Sequence, residues 1–335
     1  VKCFGSGTYG QLGQDSTDHL GDESGEMAAL APVYLGAGMT AISVSVGFSH
    51  SCAVLNDHTL KCWGMGADGR LGYDSTDNKG DAVGEMGALG TVDLGAGLTV
   101  LSVSAGAFHT CAVLNTHAVK CWGFNAYGQL GQDSTDSLGD DAGEMAALSP
   151  IELGSSARAV AAGTSHTCAL LATHTVKCFG EGLNGRLGYD AVDNRGDAAG
   201  EMAALATVYL GAGKTAMSIT VGHAHSCAVL SDGKAKCWGA NQYGQLGQES
   251  TDDVGDASGE MAALGPIFLK TGTHTNTAVE ISAGCEHSAR ARRFARLDRL
   301  HVLSHPELFV MLARVVACAC GVRVSLHVRA QLVRS

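Results

Sequence analysis

The chain is poor in proline and aromatic residues and has no apolar run of membrane-spanning length. It has only 4 Pro and 5% aromatic residues among 335, and no apolar run approaches the ~20 residues needed to cross a bilayer as a helix. The repeated region lacks basic excess: residues 1–288 hold 13 Lys+Arg against 31 acidic residues, which disfavours nucleic acid as a partner. No Cys-x-x-Cys is present, so a structural zinc site has no usual starting pair. The first residues lack an initiator Met, a basic start and an apolar stretch, so no secretory signal is read there and the sequence is expected to be processed or partial. What is abundant is glycine, 46 residues without a three-residue period, which excludes collagen and points to a fold full of turns.

A repeat organises the chain. Val1-Lys2-Cys3-Phe4-Gly5 returns as Leu60-Lys61-Cys62-Trp63-Gly64, Val119-Lys120-Cys121-Trp122-Gly123, Val176-Lys177-Cys178-Phe179-Gly180 and Ala235-Lys236-Cys237-Trp238-Gly239, with Cys spacings of 59, 59, 57 and 59. Each copy continues through a Gly-rich turn, Gln/Arg-Leu-Gly, an acidic stretch, Gly-Glu-Met, a short apolar segment and Gly-x-x-His-Ser/Thr-Cys-Ala. Ala41-Ile42-Ser43-Val44-Ser45-Val46 alternates with period two, as a strand does. Cys52-Ala53-Val54-Leu55 and Thr59-Leu60-Lys61-Cys62-Trp63 flank Asn56-Asp57-His58 and read as a hairpin with a three-residue loop, which in a later copy is Ser231-Asp232-Gly233. No helical period runs through the repeats. Short strands in Gly-punctuated copies of this length predict an all-β fold, a β-propeller whose blades bury their faces on one another.

These motifs resemble the regulator of chromosome condensation repeat family, particularly its Cys-bearing, secreted or bacterial-type branch, over residues 1–288. The resemblance implies a β-propeller, usually seven-bladed, that serves as a protein-binding platform. The nearly five copies read as part of such a ring.

Four cysteine pairs sit ten residues apart across the expected hairpins: Cys52 and Cys62, Cys111 and Cys121, Cys168 and Cys178, Cys227 and Cys237. A three-residue loop places the members of each pair opposite one another, within disulfide range if they form non-hydrogen-bonded pairs. One reading is a cross-strand disulfide in each blade and an extracellular or cell-surface setting; the other is paired free thiols acting as small core residues, which leaves the compartment unknown. Cys3 has no upstream mate, and the last copy carries Ala289 where a Cys is due.

The acidic stretch offers one candidate ligand set, the repeated histidines as a ring of imidazoles another. Asp15, Asp18 and Asp22 recur as Asp74, Asp77 and Asp81, as Asp133, Asp136 and Asp140, and in two further copies, each followed by a Glu (Glu26, Glu85, Glu144, Glu201, Glu260). Oxygen ligands spaced through a loop suit Ca²⁺, although the spacing is not that of an EF-hand. The alternative is a set of side chains that cap local turns. Either way one face is negative and suits a basic protein surface. No other cofactor is expected.

Three copies satisfy G-x-G-x-x-G, among them Gly64-Met65-Gly66-Ala67-Asp68-Gly69, but Gln/Arg-Leu-Gly follows rather than a helix, so a turn is expected and not a nucleotide site. Asn125 and Asn241 stand at the middle glycine in the other copies, as if that position needed positive φ. His50, His109, His166, His225 and His287 read as strand anchors donating to backbone carbonyls. Phe4, Trp63, Trp122, Phe179 and Trp238, with Leu12, Leu71, Leu130, Leu187 and Leu246, read as core between blades. Residues repeated in every copy serve a fold better than a single active site, so the chain is not expected to be an enzyme. A non-enzymatic scaffold that binds a protein through its loops and acidic face is the leading expectation. The alternatives are a guanine-nucleotide exchange factor-like regulator of a small GTPase and a disulfide-stapled surface module, with calcium as an option. Loop residues that differ between copies, such as Phe124, Tyr127, Gln242 and Tyr243, are the candidate contacts.

After Ser288 the composition changes to 9 Arg and 2 acidic residues in 289–335, with a single Gly. Residues 289–297 read as a basic helix, and Ser304-His305-Pro306-Glu307 as a capping box before an apolar run. The competing reading is a shifted reading frame or retained intron, because the repeat breaks inside a motif.

Overall fold

The computed structural model describes residues 1–267, 278–284 and 288–292. Four three-stranded antiparallel sheets follow one another: β1 (Ala41–Val46), β2 (His50–Leu55), β3 (Leu60–Gly64); β4 (Val100–Ala105), β5 (His109–Leu114), β6 (Val119–Gly123); β7 (Ala157–Ala162), β8 (His166–Leu171), β9 (Val176–Gly180); and β10 (Ala216–Val221), β11 (His225–Leu230), β12 (Ala235–Gly239). A two-stranded sheet of β13 (Ala278–Ala283) and β14 (Ser288–Arg292) comes next. Strand order in every sheet is sequential, as expected of blades. Residues 289–292 therefore continue a strand rather than opening a helix, because their backbone still pairs with β13, Ala289 opposite Ser282. The remainder of the expected basic helix, the capping box and His287 lie outside the described residues.

The hairpin register is the expected one. Leu55 N–H donates to Thr59 O at 2.9 Å, leaving Asn56, Asp57 and His58 as the loop, and Cys52 stands opposite Cys62. The third loop position needs a left-handed backbone, with φ 63° at His58 and 75° at Gly233. In the first strand of each sheet one residue bulges out of register, and Ile42, Leu101 and Met217 at those positions are exposed.

Between sheets, each acidic loop carries one turn of helix that the sequence pattern did not show: Glu26–Ala29, Glu85–Ala88, Glu144–Ala147, Glu201–Ala204 and Glu260–Ala263. One turn is too short to produce a readable helical period. The segment beyond it returns along the third strand, Val92 N–H donating to Leu60 O at 2.8 Å.

The core lies between copies. Leu71 of one loop packs with Leu114 and Trp122 of the following sheet, and Val33 and Leu35 pack with Trp63 and Met86. Trp63, Trp122, Phe179 and Trp238 are fully buried. Phe4 departs from the expectation: it is 59% exposed, because no earlier copy in this sequence supplies the loop on which its successors pack.

Close backbone contact explains the glycine of Gly-x-x-His. Ala107 N–H donates to Gly163 O at 3.0 Å and His223 N–H to Gly284 O at 3.2 Å, so successive turns touch. A Cβ on Gly163 would lie 2.8 Å from Gly222 O and 2.9 Å from the His166 ring. Gly163→Ala is expected to lower stability by about 1–3 kcal/mol through this overpacking, read as a drop in urea midpoint at unchanged slope. A midpoint within error of wild type would show that the turns are not held in contact.

Candidate functional site

Polar side chains repeated in every copy are spent on contacts within their own loop or with the next copy. Asp15 Oδ2 accepts from Gly84 N–H at 3.0 Å and its Oδ1 from Met86 N–H at 2.8 Å, so this carboxylate caps the helical turn of the following loop. Asp74 does the same for Gly143 and Met145, Asp133 for Gly200 and Met202, and Asp190 for Gly259 and Met261. Within each loop the Glu collects several N–H groups on one oxygen: Glu85 Oε2 accepts from Gly80, Asp81 and Ala82 at 2.8, 3.1 and 3.1 Å. Backbone donors from Glu23 and Gly21 likewise hold the Glu26 carboxyl below its usual range.

The other calcium candidates are dispersed. Asp18, Asp77 and Asp136 close small turns through their own N–H groups to Ser16, Ser75 and Ser134 Oγ, which leaves the carboxylates of all three exposed. Asp22 is also exposed, Asp81 accepts from Asn78 Nδ2 at 3.1 Å, and burial followed by the neighbouring Glu144 pushes Asp140 up. Among the described residues no group of three or more His, Cys, Asp or Glu is placed to hold a metal ion. Asp133→Ala is expected to cost about 1–2 kcal/mol by orphaning two N–H groups of the next loop, seen as a lower melting temperature. The melt of the wild type is expected to be indifferent to millimolar calcium; a rise of several degrees would return these carboxylates to a metal role.

The Gly-x-x-His histidines, expected from sequence to donate to backbone carbonyls, place Nε2 instead at hydroxyls of the next sheet. His50 Nε2 lies 2.8 Å from Thr110 Oγ1, His109 Nε2 2.8 Å from Thr167 Oγ1, His166 Nε2 2.9 Å from Ser226 Oγ, and His225 Nε2 3.0 Å from Ser288 Oγ. Thr110, Thr167 and Ser226 each spend their hydroxyl proton on a loop carbonyl, of Arg70, Gln129 and Arg186, at 2.8–2.9 Å. Each oxygen must then accept from the imidazole, which assigns the Nε2–H tautomer. Burial, followed by the Arg70 charge, pushes His50 and His109 down to about 3, so both rings are neutral at pH 7.

The four cysteine pairs lie at bonding distance, with Sγ–Sγ separations of 2.11, 2.08, 2.08 and 1.98 Å and Cα–Cα of 4.1 Å. The third-strand N–H points away from its Cys partner, Cys62 donating to Tyr73 Oη at 3.1 Å and Cys178 to Tyr189 Oη at 3.0 Å, as in a non-hydrogen-bonded pair.

G-x-G-x-x-G forms turns. The middle glycine does not need positive φ, which is −92° at Gly66 and −90° at Gly182; that sequence reading is corrected. A Cβ at Gly66 would instead strike the carbonyl of Asp77. Where Asn stands there, its amide bridges the same loop, Asn125 Nδ2 donating to Ser134 O and Asp136 O at 2.7 and 2.9 Å.

Several residues that differ between copies lie at the end of the sheets that carries these turns. Phe108, Phe124 and Tyr127 form an edge-to-face series with centroids 6.1 and 6.2 Å apart, and Arg70 Cζ sits 5.3 Å from the Phe108 centroid. Phe124 is half-buried, whereas Tyr127, Gln242 and Tyr243 are exposed.

Fold and site together define a repeat propeller: all-β blades with a cysteine pair at bonding distance inside each of the four three-stranded sheets, stitched to their neighbours by Asp and His. The family model for the regulator of chromosome condensation (RCC1) repeat matches residues 118–170 and 232–290, and a second model of that repeat matches 41–70, 100–129, 157–186 and 218–245; the chain belongs to this family. It is 29% identical over 205 residues to the ultraviolet-B receptor UVR8 of Arabidopsis thaliana, covering 61% of this chain and 42% of the receptor. The chain thus spans less than half the length of that relative. Human WBSCR16 superposes with a TM-score of 0.65 at 19% identity over 87% of this chain and 67% of the other, and yeast RCC1 (Prp20), solved bound to Kap60, with 0.64 at 21% over 87% and 62%. At these identities the superpositions establish the fold.

Proposed function

We propose that the chain is a non-enzymatic scaffold that binds another protein through its loop end, with exposed carboxylates favouring a basic partner surface. The observation that carries this reading is the division of labour among side chains. The repeated Asp15-, Glu85- and His109-type residues are committed to contacts within and between copies, whereas the aromatic departures Phe108, Phe124 and Tyr127 sit together at one end, free of such duties. The yeast structure with Kap60 supports the use of such a propeller as a binding platform. Full-length protein immobilised and challenged with purified core histones is expected to retain them at low salt and release them as salt rises. Equal retention of an acidic control protein would overturn the basic-partner reading.

Four cysteine pairs at bonding distance favour a second reading beside this one, a disulfide-stapled module of an oxidising compartment such as the cell surface. An exchange-factor-like role is distinguished by labelled-nucleotide release from a small GTPase, which a plain scaffold does not accelerate.

A further inference from the structure

We infer that the partly exposed aromatic strip crossing the first two sheets at their loop end is a docking site for a polypeptide segment with an apolar anchor flanked by Lys or Arg. This rests on the protein-binding reading above and assigns it a place.

Antiparallel topology puts the turn after β1 and the segment after β3 at the same end of a sheet, His50 lying opposite Gly64. Phe48 and Phe108 occupy the first kind of turn, and Met65, Phe124 and Tyr127 the second kind of segment. Phe48 N–H donates to Gly106 O at 3.3 Å, so Phe48 is seated beside the turn that carries Phe108. Phe48 is nevertheless 59% exposed, and the edge-to-face series continues the strip through Phe124 to Tyr127. In the next two sheets the position of Phe48 is held by Thr164 and His223, that of Phe108 by Ser165 and Ala224, and that of Met65 and Phe124 by Glu181 and Ala240, so the aromatic character is confined to one part of the array. A feature that departs from the repeat is not required by it.

The electrostatics select the occupant. Arg70 lies beneath Phe108 with its side chain only 3% exposed; its guanidinium is paired with Asp68 at 2.7 Å and also donates to Ala67 O and Ala107 O. The cations beside the strip, Arg70 and Lys79, are thus each paired with an aspartate. Its flanks are acidic: Asp77 abuts Gly66, next to Met65, and Asp136 is held by Asn125, between Phe124 and Tyr127. Both aspartates are exposed, and Asp77 has only Lys79 at 3.7 Å. Aromatic faces with a carboxylate rim suit an aliphatic anchor with cationic neighbours, which gain cation–π and rim contacts together. An acidic segment would meet repulsion at both rims.

The test uses the full chain and two labelled twelve-residue peptides of equal length, one with a central Leu pair flanked by Lys and the other with the same pair flanked by Glu, read by fluorescence anisotropy. The Lys peptide is expected to bind and the Glu peptide not to. Tyr127→Ser and Phe48→Ser, both at exposed positions and expected to leave the melting temperature unchanged, should each weaken binding at least tenfold, about 1.4 kcal/mol. Asp77→Asn with Asp136→Asn should weaken it severalfold and flatten its salt dependence. Lys-peptide binding that ignores both aromatic substitutions overturns this assignment while leaving a basic-partner scaffold standing. Binding of neither peptide, self-association abolished by Tyr127→Ser, or oligonucleotide binding abolished by it each overturns the assignment in favour of no site, a second copy or nucleic acid.

Discussion

Acidification is expected to unfold this protein over a range set by its buried histidines. His50 and His109 are fully buried and neutral, held down to about 3 by burial and then by Arg70, whereas an unfolded His titrates near 6.5. A group whose proton affinity is lower in the fold contributes its stability above the unfolded value, and that stability drains away as pH falls from about 6.5 to about 3. At about 1.4 kcal/mol per tenfold difference in affinity, each imidazole contributes on the order of 5 kcal/mol across that range. His166 is lowered in the same direction by burial first and Arg186 second. Urea midpoints measured from pH 7.5 to 3.5 should fall steeply below 6.5. His109→Gln should start lower, through loss of the ring and its bond to Thr167, and fall less steeply. Parallel slopes for the two proteins would show that carboxylates alone govern acid unfolding.

Loss of the cross-strand bonds is expected to have the largest effect of all. Each closes a loop of ten residues, for which chain entropy gives about 2–3 kcal/mol, or on the order of 10 kcal/mol for the four together. That sum is comparable to the whole stability of a typical domain. All eight sulfurs belong to residues at 0–1% exposure, so a reductant should leave the native protein untouched and act only on the unfolded chain. Denaturation without reductant should release no thiols from these pairs, and refolding in reductant should fail or shift to a far lower urea midpoint. Eight reactive thiols on simple denaturation would establish the alternative of paired free cysteines.

Much of this architecture was legible because the same short motifs recur. One copy of Thr-Leu-Lys-Cys-Trp-Gly is ambiguous, but five copies fix the hairpin, the opposition of Cys52 and Cys62, and the burial of Trp122 and Leu130. What recurrence hides is the partner of a repeated side chain. Asp133, met as one of a series, looks equally like a turn cap and a calcium ligand; only in space does it reach Gly200 and Met202, 67 and 69 residues away. His109 looked like an anchor for its own strand and is instead tied to Thr167 of the next sheet. The middle glycine of the turn suggested a backbone angle, and the actual constraint is a neighbouring carbonyl.

The sequence alone determined strand, hairpin and blade, because period-two alternation, loop length and cysteine register act over a few residues and repeat without change. It also set the charge imbalance between residues 1–288 and the segment after them. The tertiary structure decided how the copies hold one another, since caps, hydroxyl bonds and turn contacts join residues roughly 60–70 apart whose spacing carries no local pattern. It also decided where the irregular residues come together: Phe48, Phe108 and Tyr127 belong to different copies, and only the stacking of one sheet on the next lines them up at one end.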